Sequence, residues 1–431
     1  MDIRVTKLQE VMDLLKPAVA KKATMKTITY MYLGEGKAVA TDLETMIIAN
    51  LPEAKEPMLL PYSAVSSMLK YVAGTKMLKI ELKGKAVLFS WDGGSASYPT
   101  EDFADFPIMP ELATKAEEMI DGDAFIAAMQ AALPYVATDE SRPVLSGITL
   151  VLGAPVEVAA GDGFRASLQA LGITFPMETK VIVPSHSVAI LEHVFKKTPR
   201  TPPASSTAGS LVQVVTAKRN LRMSLVGDNK LRLDFGTNAS VVMNLIAGDP
   251  PQWLSLVPKG EPILQSHMFA PQLEAAVKRI QGIAKDNCGI VRMEFAEGKL
   301  KVSAAASDQE ISSAIDTINT QGEPSRLGIN VKYLLEFVSG KQGIISLTRY
   351  TDAGPVVFEY QKMPKVLIMP MQVQWPGDTP RAAEPEPAAE TTDETSDSEA
   401  GDTGEGDAET SEEEVTAENT VEESTAEATE Q

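Results

Sequence analysis

Soft metal ligands are almost missing from this chain of 431 residues, which has one cysteine, Cys288, and three histidines, His186, His193 and His267. A lone cysteine excludes an internal disulfide, and so few soft donors leave no zinc site of usual composition. Long apolar runs are absent too: no stretch approaches the roughly 18 to 20 residues that span a bilayer. The N-terminal MDIRVTKLQE lacks the apolar segment of a secretory signal. A soluble, cytoplasmic protein without membrane contact is therefore expected. Aromatic residues make up only 6% of the chain and do not interleave with basic ones, which argues against a stacking platform for single strands. No Walker-type glycine loop occurs, and no nucleophilic serine or cysteine with an activating histidine suggests itself.

The formal charge of −20 at first excludes a basic nucleic-acid coat. Its distribution changes that conclusion. Beyond residue 377 lie 20 of the 59 acidic residues and one of the 39 basic ones, leaving 39 acidic against 38 basic in the body. The last 54 residues, rich in Glu, Thr, Ala, Ser, Asp, Gly and Pro, cannot bury enough apolar surface to offset their ordering entropy and are predicted to be disordered.

The body divides into three similar parts. Each opens with a helix of period near 3.6: Val5, Leu8, Met12, Leu15 and Val19; Phe125, Met129, Leu133 and Val136; Phe269, Leu273, Val277 and Ile280. Paired strands with a glycine-containing turn follow, as in TITYMYLGEGKAVATD, LSGITLVLGAPVEVAAGD and GIVRMEFAEGKLKVSAAASD. A second helix comes next, around Val65, Met68, Leu69 and Val72; Val188, Leu191, Val194 and Phe195; and Tyr333, Leu334, Phe337 and Val338. Alternating strands complete each part. The pattern predicts an α+β fold of three domains, 1–116, 117–258 and 259–375, each a duplicated helix-plus-strands unit, with a tail at 376–431. TPRTPPASSTAG marks a surface loop inserted at about 198–221.

Carboxylates recur at equivalent places after the second strand: Asp42 with Glu44, Asp162, and Asp308 with Glu310. Equivalence in three repeats favours a shared turn over three metal sites. His193 falls within a helical pattern and reads as structural. The basic residues are more informative: Lys7, Lys16, Lys21 and Lys22 on or just after the first helix; Lys70 on the second; Lys196, Lys197 and Arg200 ending the fourth; Lys278, Arg279 and Lys285 on the fifth; Lys332 and Lys341 on the sixth. The third helix, Asp123 to Val136, has none. Cations near helix C-termini also complement the helix dipole. Beyond that they form a phosphate-facing set without base-reading equipment.

TDLE, TDESRPVLSGITL, GDGFRA, VIVPSHSVAILEHVF, NVKYLLEFV and VLIMPMQV resemble, in order and spacing, the β subunit of bacterial DNA polymerase III, the sliding clamp family. The resemblance covers about residues 1–373. It implies three clamp-fold domains and a head-to-tail homodimeric ring with helices inside and sheets outside, non-enzymatic and without a cofactor. Such a ring surrounds duplex DNA without reading its sequence and confers processivity on the replicative polymerase. On these residues the pore set would be Lys7, Lys16, Lys21, Lys22, Lys70, Lys196, Lys197, Lys278, Arg279 and Lys332. Lys22 aligns with a basic residue on a family loop near the pore.

The resemblance also implies a pocket for short peptides of the polymerase, clamp loader and repair proteins. It would be lined by Leu145, Gly161, Gly163, Phe164, Arg165, Ala166, Pro251, Leu256, Tyr333, Leu367, Ile368, Met369, Pro370 and Met371, with Arg165 orienting the peptide. Phe164 stands where His is usual, Ala166 where Leu often sits, and Ser255 and Gln372 where some members have Arg. Ring closure would set Phe103, Phe106 and Ile108 against Ile280 and Ile283. Two other readings carry distinct requirements: a clamp-like peptide-binding scaffold without ring closure, and a carboxylate-dependent hydrolase whose metal-dependent turnover needs Asp42 or Asp162.

As a flexible chain the tail has an end-to-end distance of roughly 40 Å, more with self-repelling charge. It is expected to compete electrostatically with DNA or partners and so to weaken non-productive binding. Truncation after Trp375 should then raise DNA affinity severalfold at low salt in fluorescence anisotropy; unchanged affinity would leave only a solubilising role.

Overall fold

A computed structural model describes residues 1–108, 112–139, 141–198, 219–286, 288–296, 298–306, 309–361, 363–373 and 375. Most of the expected insertion, Arg200, Asp308 and the tail at 376–431 lie outside these. Met1–Trp375 form one compact body.

Six α-helices occur among the described residues: α1 (Val5–Leu15), α2 (Tyr62–Leu69), α3 (Gly122–Ala132), α4 (Ser185–Lys197), α5 (Ala270–Asp286) and α6 (Val331–Val338). They pack in sequential pairs, α1 on α2, α3 on α4 and α5 on α6. The apolar periodicity explains the buried stripes. In α1 Val5, Leu8, Val11, Met12 and Leu15 are buried, and in α5 Leu273, Val277 and Ile280. Each such side chain contributes about 1.5–3 kcal/mol of burial. Two helices stop earlier than the periodicity predicts. Pro17 and Pro134 cannot donate to a continuing helix, so the chain tightens into 3-10 turns at Lys16–Ala18 and Leu133–Tyr135.

The repeating unit also differs from the predicted helix followed by strands. A strand leads directly into every helix: Asp2–Arg4, Met58–Pro61, Thr114–Asp121, Thr179–Pro184, Leu264–Phe269 and Ser325–Asn330. Each half-unit is thus strand, helix and three strands, the fifth with one more, Asn319–Gly322. The switch from strand to helix is marked by Asp121 and Asn330, whose side chains accept from Ala124 N and Lys332 N, and by proline at 61 and 184. The expected boundary at 116/117 falls within the strand Thr114–Asp121.

Four sheets back the helices. An eight-stranded sheet forms where Thr45–Asn50 pairs antiparallel with Ala239–Asn244, Ile47 opposite Val241. A nine-stranded sheet forms where Arg165–Ala170 pairs with Lys365–Ile368, Ala166 opposite Leu367. Two four-stranded sheets remain, one ending in the strand Gly94–Pro99 and the other in Gln309–Asp316. The main apolar core lies between helices and sheets, and Phe89, Phe125, Phe235, Phe295, Phe337 and Phe358 are among its fully buried members. Phe125→Ala is expected to cost about 3–5 kcal/mol, seen as a lower urea midpoint with the far-UV circular dichroism spectrum unchanged before the transition.

Candidate functional site

A cleft of about 360 Å³ opens beside the seam between Arg165–Ala170 and Lys365–Ile368, lined by Gly163, Phe164, Arg165, Ala166, Trp253, Ser255, Leu256, Pro355, Leu367 and Met369. Its floor is a small apolar cluster that includes Leu145, Ala166, Trp253, Val357 and Leu367. Its rim is apolar and open: Phe164 is 60% exposed, Leu256 47% and Met369 40%. The backbone carbonyl of Phe164 accepts from Met369 N at 2.8 Å, joining the two rim residues across the seam.

Local geometry explains the GDGFR sequence. Asp162 Oδ1 accepts from the backbone N–H groups of Phe164 (2.9 Å) and Arg165 (3.0 Å), holding a tight turn. Asp42 makes the same turn with Glu44 N (3.0 Å) and Thr45 N (2.7 Å). Gly163 has φ of +96°, a conformation that glycine adopts without steric cost. A Cβ at Gly161 would stand 2.6 Å from the Trp253 ring, so glycine there admits the indole. Trp253 Nε1–H in turn donates to Thr149 Oγ1 at 2.9 Å.

Arg165 has a different role from the one expected. The side chain turns to the helix layer, away from Ala166 on the cleft face, and is only 7% exposed. Its guanidinium donates to Asp162 Oδ2 (3.0 Å), to the Pro134 carbonyl (2.8 Å) and to Glu336 on α6. It also lies over the rings of Tyr135 and Tyr333, 5.1 and 4.4 Å from their centroids. Burial opposes its charge, yet Glu336 and Asp162 outweigh that and raise its pKa. Burial also pushes the Tyr135 hydroxyl up to about 12. Arg165 therefore ties the second helix pair's unit to α6 and leaves its charge unavailable to a peptide.

Other expected lining residues are distributed unevenly. Ile368, opposite Arg165 in register, is fully buried on the helix side of the sheet, so its side chain belongs to the main core. Pro251 accepts from Trp253 N at 2.9 Å and shapes the 3-10 turn Trp253–Leu256. Past Met369 the chain leaves the cleft: Met371 N donates to Gly328 O at 2.8 Å, and Pro370 and Met371 are outside the lining. Leu145, Gly161 and Tyr333 support from beneath. Trp253 and Pro355 were not anticipated; the rarity of tryptophan, three in the chain, was the one available signal.

The basic set divides by partner. Lys196 pairs with Glu192, Lys278 with Glu274, and Lys197 with Asp13. Arg279 donates to Ser313 Oγ at 2.6 Å, and Lys341, its pKa lowered by burial, donates to the Phe337 carbonyl. These five differ from the freely phosphate-facing residues expected. Lys7, Lys16, Lys21, Lys22 and Lys70 are exposed without an ion pair among the described residues, as are Lys285 and Lys332. His193 is structural: its Nε2–H donates to the Asp13 carbonyl at 2.7 Å. Of the closure residues, Ile280 is fully buried in its helix's core face and Phe106 stacks on Tyr32 at 5.6 Å, so neither can meet a partner directly. Phe103 and Ile108 stay exposed, and Ile283 half-buried.

Residues 256–371 match the family model described as "DNA polymerase III beta subunit, C-terminal domain". That segment contains the seam strand Lys365–Ile368, α5 and α6. The chain is similar to the bacterial beta sliding clamps. It is 25% identical over 288 residues to the beta sliding clamp of Streptomyces coelicolor, covering 64% of this chain and 70% of the relative. With the clamp of Pseudomonas aeruginosa it shares 22% identity over 385 residues, 84% of this chain and 96% of that one. The crystal structure of DNA polymerase III subunit beta from Pseudomonas aeruginosa superposes with a TM-score of 0.74 at 18% identity, covering 86% of this chain and all of the other. In this chain Arg165 ties the seam between units to α6 through Glu336. Arg165→Ala should destabilise the chain by about 2–3 kcal/mol, discounted for the partial exposure of Glu336; Glu336→Gln, which keeps an acceptor, should cost less than half of that in urea unfolding.

Proposed function

We propose that this chain is the processivity clamp of a replicative DNA polymerase: a non-enzymatic cytoplasmic homodimer, closed head to tail around duplex DNA, that tethers partners through the cleft. The division 1–116, 117–258 and 259–375 then describes three clamp domains, adjusted so that the strand Thr114–Asp121 goes wholly with the second.

The observation that carries the reading is the pattern of sheet edges. The two junctions inside the chain each fuse half-sheets into eight or nine strands, whereas the ends of the body keep four-stranded sheets. Their outer strands, Gly94–Pro99 and Gln309–Asp316, show mostly exposed residues and have no partner on one side among the described residues. Open edges favour pairing with another chain. A second copy related by a twofold axis satisfies both edges at once and closes the assembly. Phe103, Ile108 and Ile283 supply apolar surface for that contact.

In the cleft, recognition rests on shape and apolar contact. Met369, Leu256 and Phe164 can adapt around an aliphatic or aromatic anchor, and backbone groups of the Asp162 turn are close by. Arg165 is engaged and Ser255 uncharged, so neither of these two positions offers a free cation to an acidic peptide. Phe164 in place of histidine adds apolar area, favouring a bulkier anchor. Because the cleft is complete within one chain, a scaffold without ring closure would bind peptides equally well, so ring formation must be tested separately.

Sedimentation at micromolar concentration should give twice the chain mass, and the protein should stay on nicked circular DNA until the DNA is linearised. A monomer would leave only the scaffold reading. In peptide titrations by fluorescence, Leu256→Ala with Met369→Ala should weaken binding at least tenfold, equivalent to about 1.4 kcal/mol; unchanged binding removes the cleft from the mechanism.

A further inference from the structure

On the far side of the 3-10 turn Trp253–Leu256 from the cleft lies a second groove of about 400 Å³, whose lining includes Val151, Pro155, Glu157, Glu178, Lys180 and Leu254. The turn is the wall between the two. Trp253, Ser255 and Leu256 line the cleft, while Leu254, 52% exposed, lines the groove. Register builds the groove floor. Glu157 on the strand Glu157–Gly161 and Lys180 on Thr179–Pro184 both lie opposite Val151 of Gly147–Leu152, so the three side chains share one face. Two strand spacings, roughly 10 Å, separate Glu157 from Lys180. Lys180 Nζ donates instead to Gln252 Oε1 at 3.5 Å, which leaves Glu157 without a cation among the described residues. Glu157 Oε2 is buried and has no hydrogen-bond partner there, and burial raises the pKa of the carboxyl. Glu178 is exposed and likewise has no ion pair among the described residues. A carboxylate drawn out of water without a donor is costly, and its place in a groove wall is explained by a partner that brings the donor.

We infer that this groove extends the cleft, and that the partner segments it takes carry a lysine or arginine a few residues from their apolar anchor. The inference rests on the peptide-cleft reading and deepens it by naming a second feature of the partner. Charge and continuity select the occupant. The groove offers two carboxylates against one lysine, and that lysine is held toward Gln252. Val151, Pro155 and Leu254 give the aliphatic stem of a basic side chain a surface to lie on while its charged end meets Glu157. A chain leaving the cleft reaches the groove by crossing one helical turn, about 10 Å wide with its side chains. An extended chain covers that distance in about three or four residues. A basic residue at this spacing is favoured, and an acidic one is repelled.

The test uses the full chain and fluorescein-labelled peptides with a Leu-Phe anchor in a Ser/Ala background, titrated by anisotropy. A single lysine is moved stepwise away from the anchor on either side, and the peptide without lysine is the reference. Lysine three or four residues from the anchor on one side should bind about threefold to fivefold tighter than the reference, the upper range of a partly exposed ion pair. Glutamate at that position should bind more weakly than the reference. Glu157→Gln should bring the lysine peptide down to the reference level. Should that variant fail to fold by circular dichroism, Glu178→Gln with Leu254→Ala decides on exposed positions, and the gain should fall by about half or more. Asp228→Asn, which removes a carboxylate paired with Lys115 outside the groove, should leave the gain unchanged. A lysine gain equal at every position, or one lost equally in Asp228→Asn, reports only attraction to an acidic chain and overturns the inference. A gain that survives Glu157→Gln with Glu178→Gln overturns it too. If the reference peptide does not bind, or binds undiminished after Leu256→Ala with Met369→Ala, the cleft reading falls and the extension with it; a bound reference without a positional gain sinks the extension alone.

Discussion

Backbone pairing between strands far apart in sequence is the constraint on which this architecture depends. Each half-unit makes only four or five strands and one helix, too little sheet to cover its own edges. Pairing Thr45–Asn50 with Ala239–Asn244, and Arg165–Ala170 with Lys365–Ile368, satisfies those edges and sets every later feature. It sets α1 against α4. It brings the rim residues Phe164 and Met369 together, and it leaves two open strands at the ends of the body. Register is decisive, because one step along the seam exchanges the cleft face for the core face; that is why Leu367 lies under the cleft while Ile368 lies in the core.

The two seams are secured by different chemistry. At the first, Thr45 Oγ1 and Ser187 Oγ share a hydrogen bond of 2.8 Å, with Glu44 and His186 2.9 Å apart nearby. At the second, Arg165 reaches Asp162, Glu336 and the Pro134 carbonyl. Thr45 and Arg165 follow the same aspartate turn, and Ser187 and Tyr333 occupy the third position of α4 and α6. The repeated framework therefore carries a small neutral contact in one place and a buried charged one in the other. The second has an open apolar cleft beside it, floored by Trp253.

Much of this was legible in the sequence because it is local. Helical periodicity located all six helices, and the aspartate turns followed from their equivalent positions. What escaped depended on distant partners. Arg165 looked like a ligand-facing cation, because nothing near it in sequence shows that Glu336, 171 residues away, claims its charge. Lys197 was miscast for the same reason, its partner Asp13 being on α1. Ile280 and Phe106 were apolar as expected, yet apolarity alone does not say whether a residue faces its own core or another chain. The leading strands were hidden as short apolar runs, such as MLLP and VIVP, merging into the helix that follows.

The open strands have a mechanical meaning. Inside the chain, each seam is reinforced by covalent continuity and by side chains from the helix layer, so parting it means disrupting a folded unit. At the ends of the body, the strand Gly94–Pro99 and the strand Gln309–Asp316 offer little more than their backbone groups and a few apolar side chains. In a closed ring these contacts form the latch and the intrachain seams form the rigid arc. In the proposed ring, opening would need only to peel one strand from another, and the cleft, carried entirely on the arc, would keep its shape.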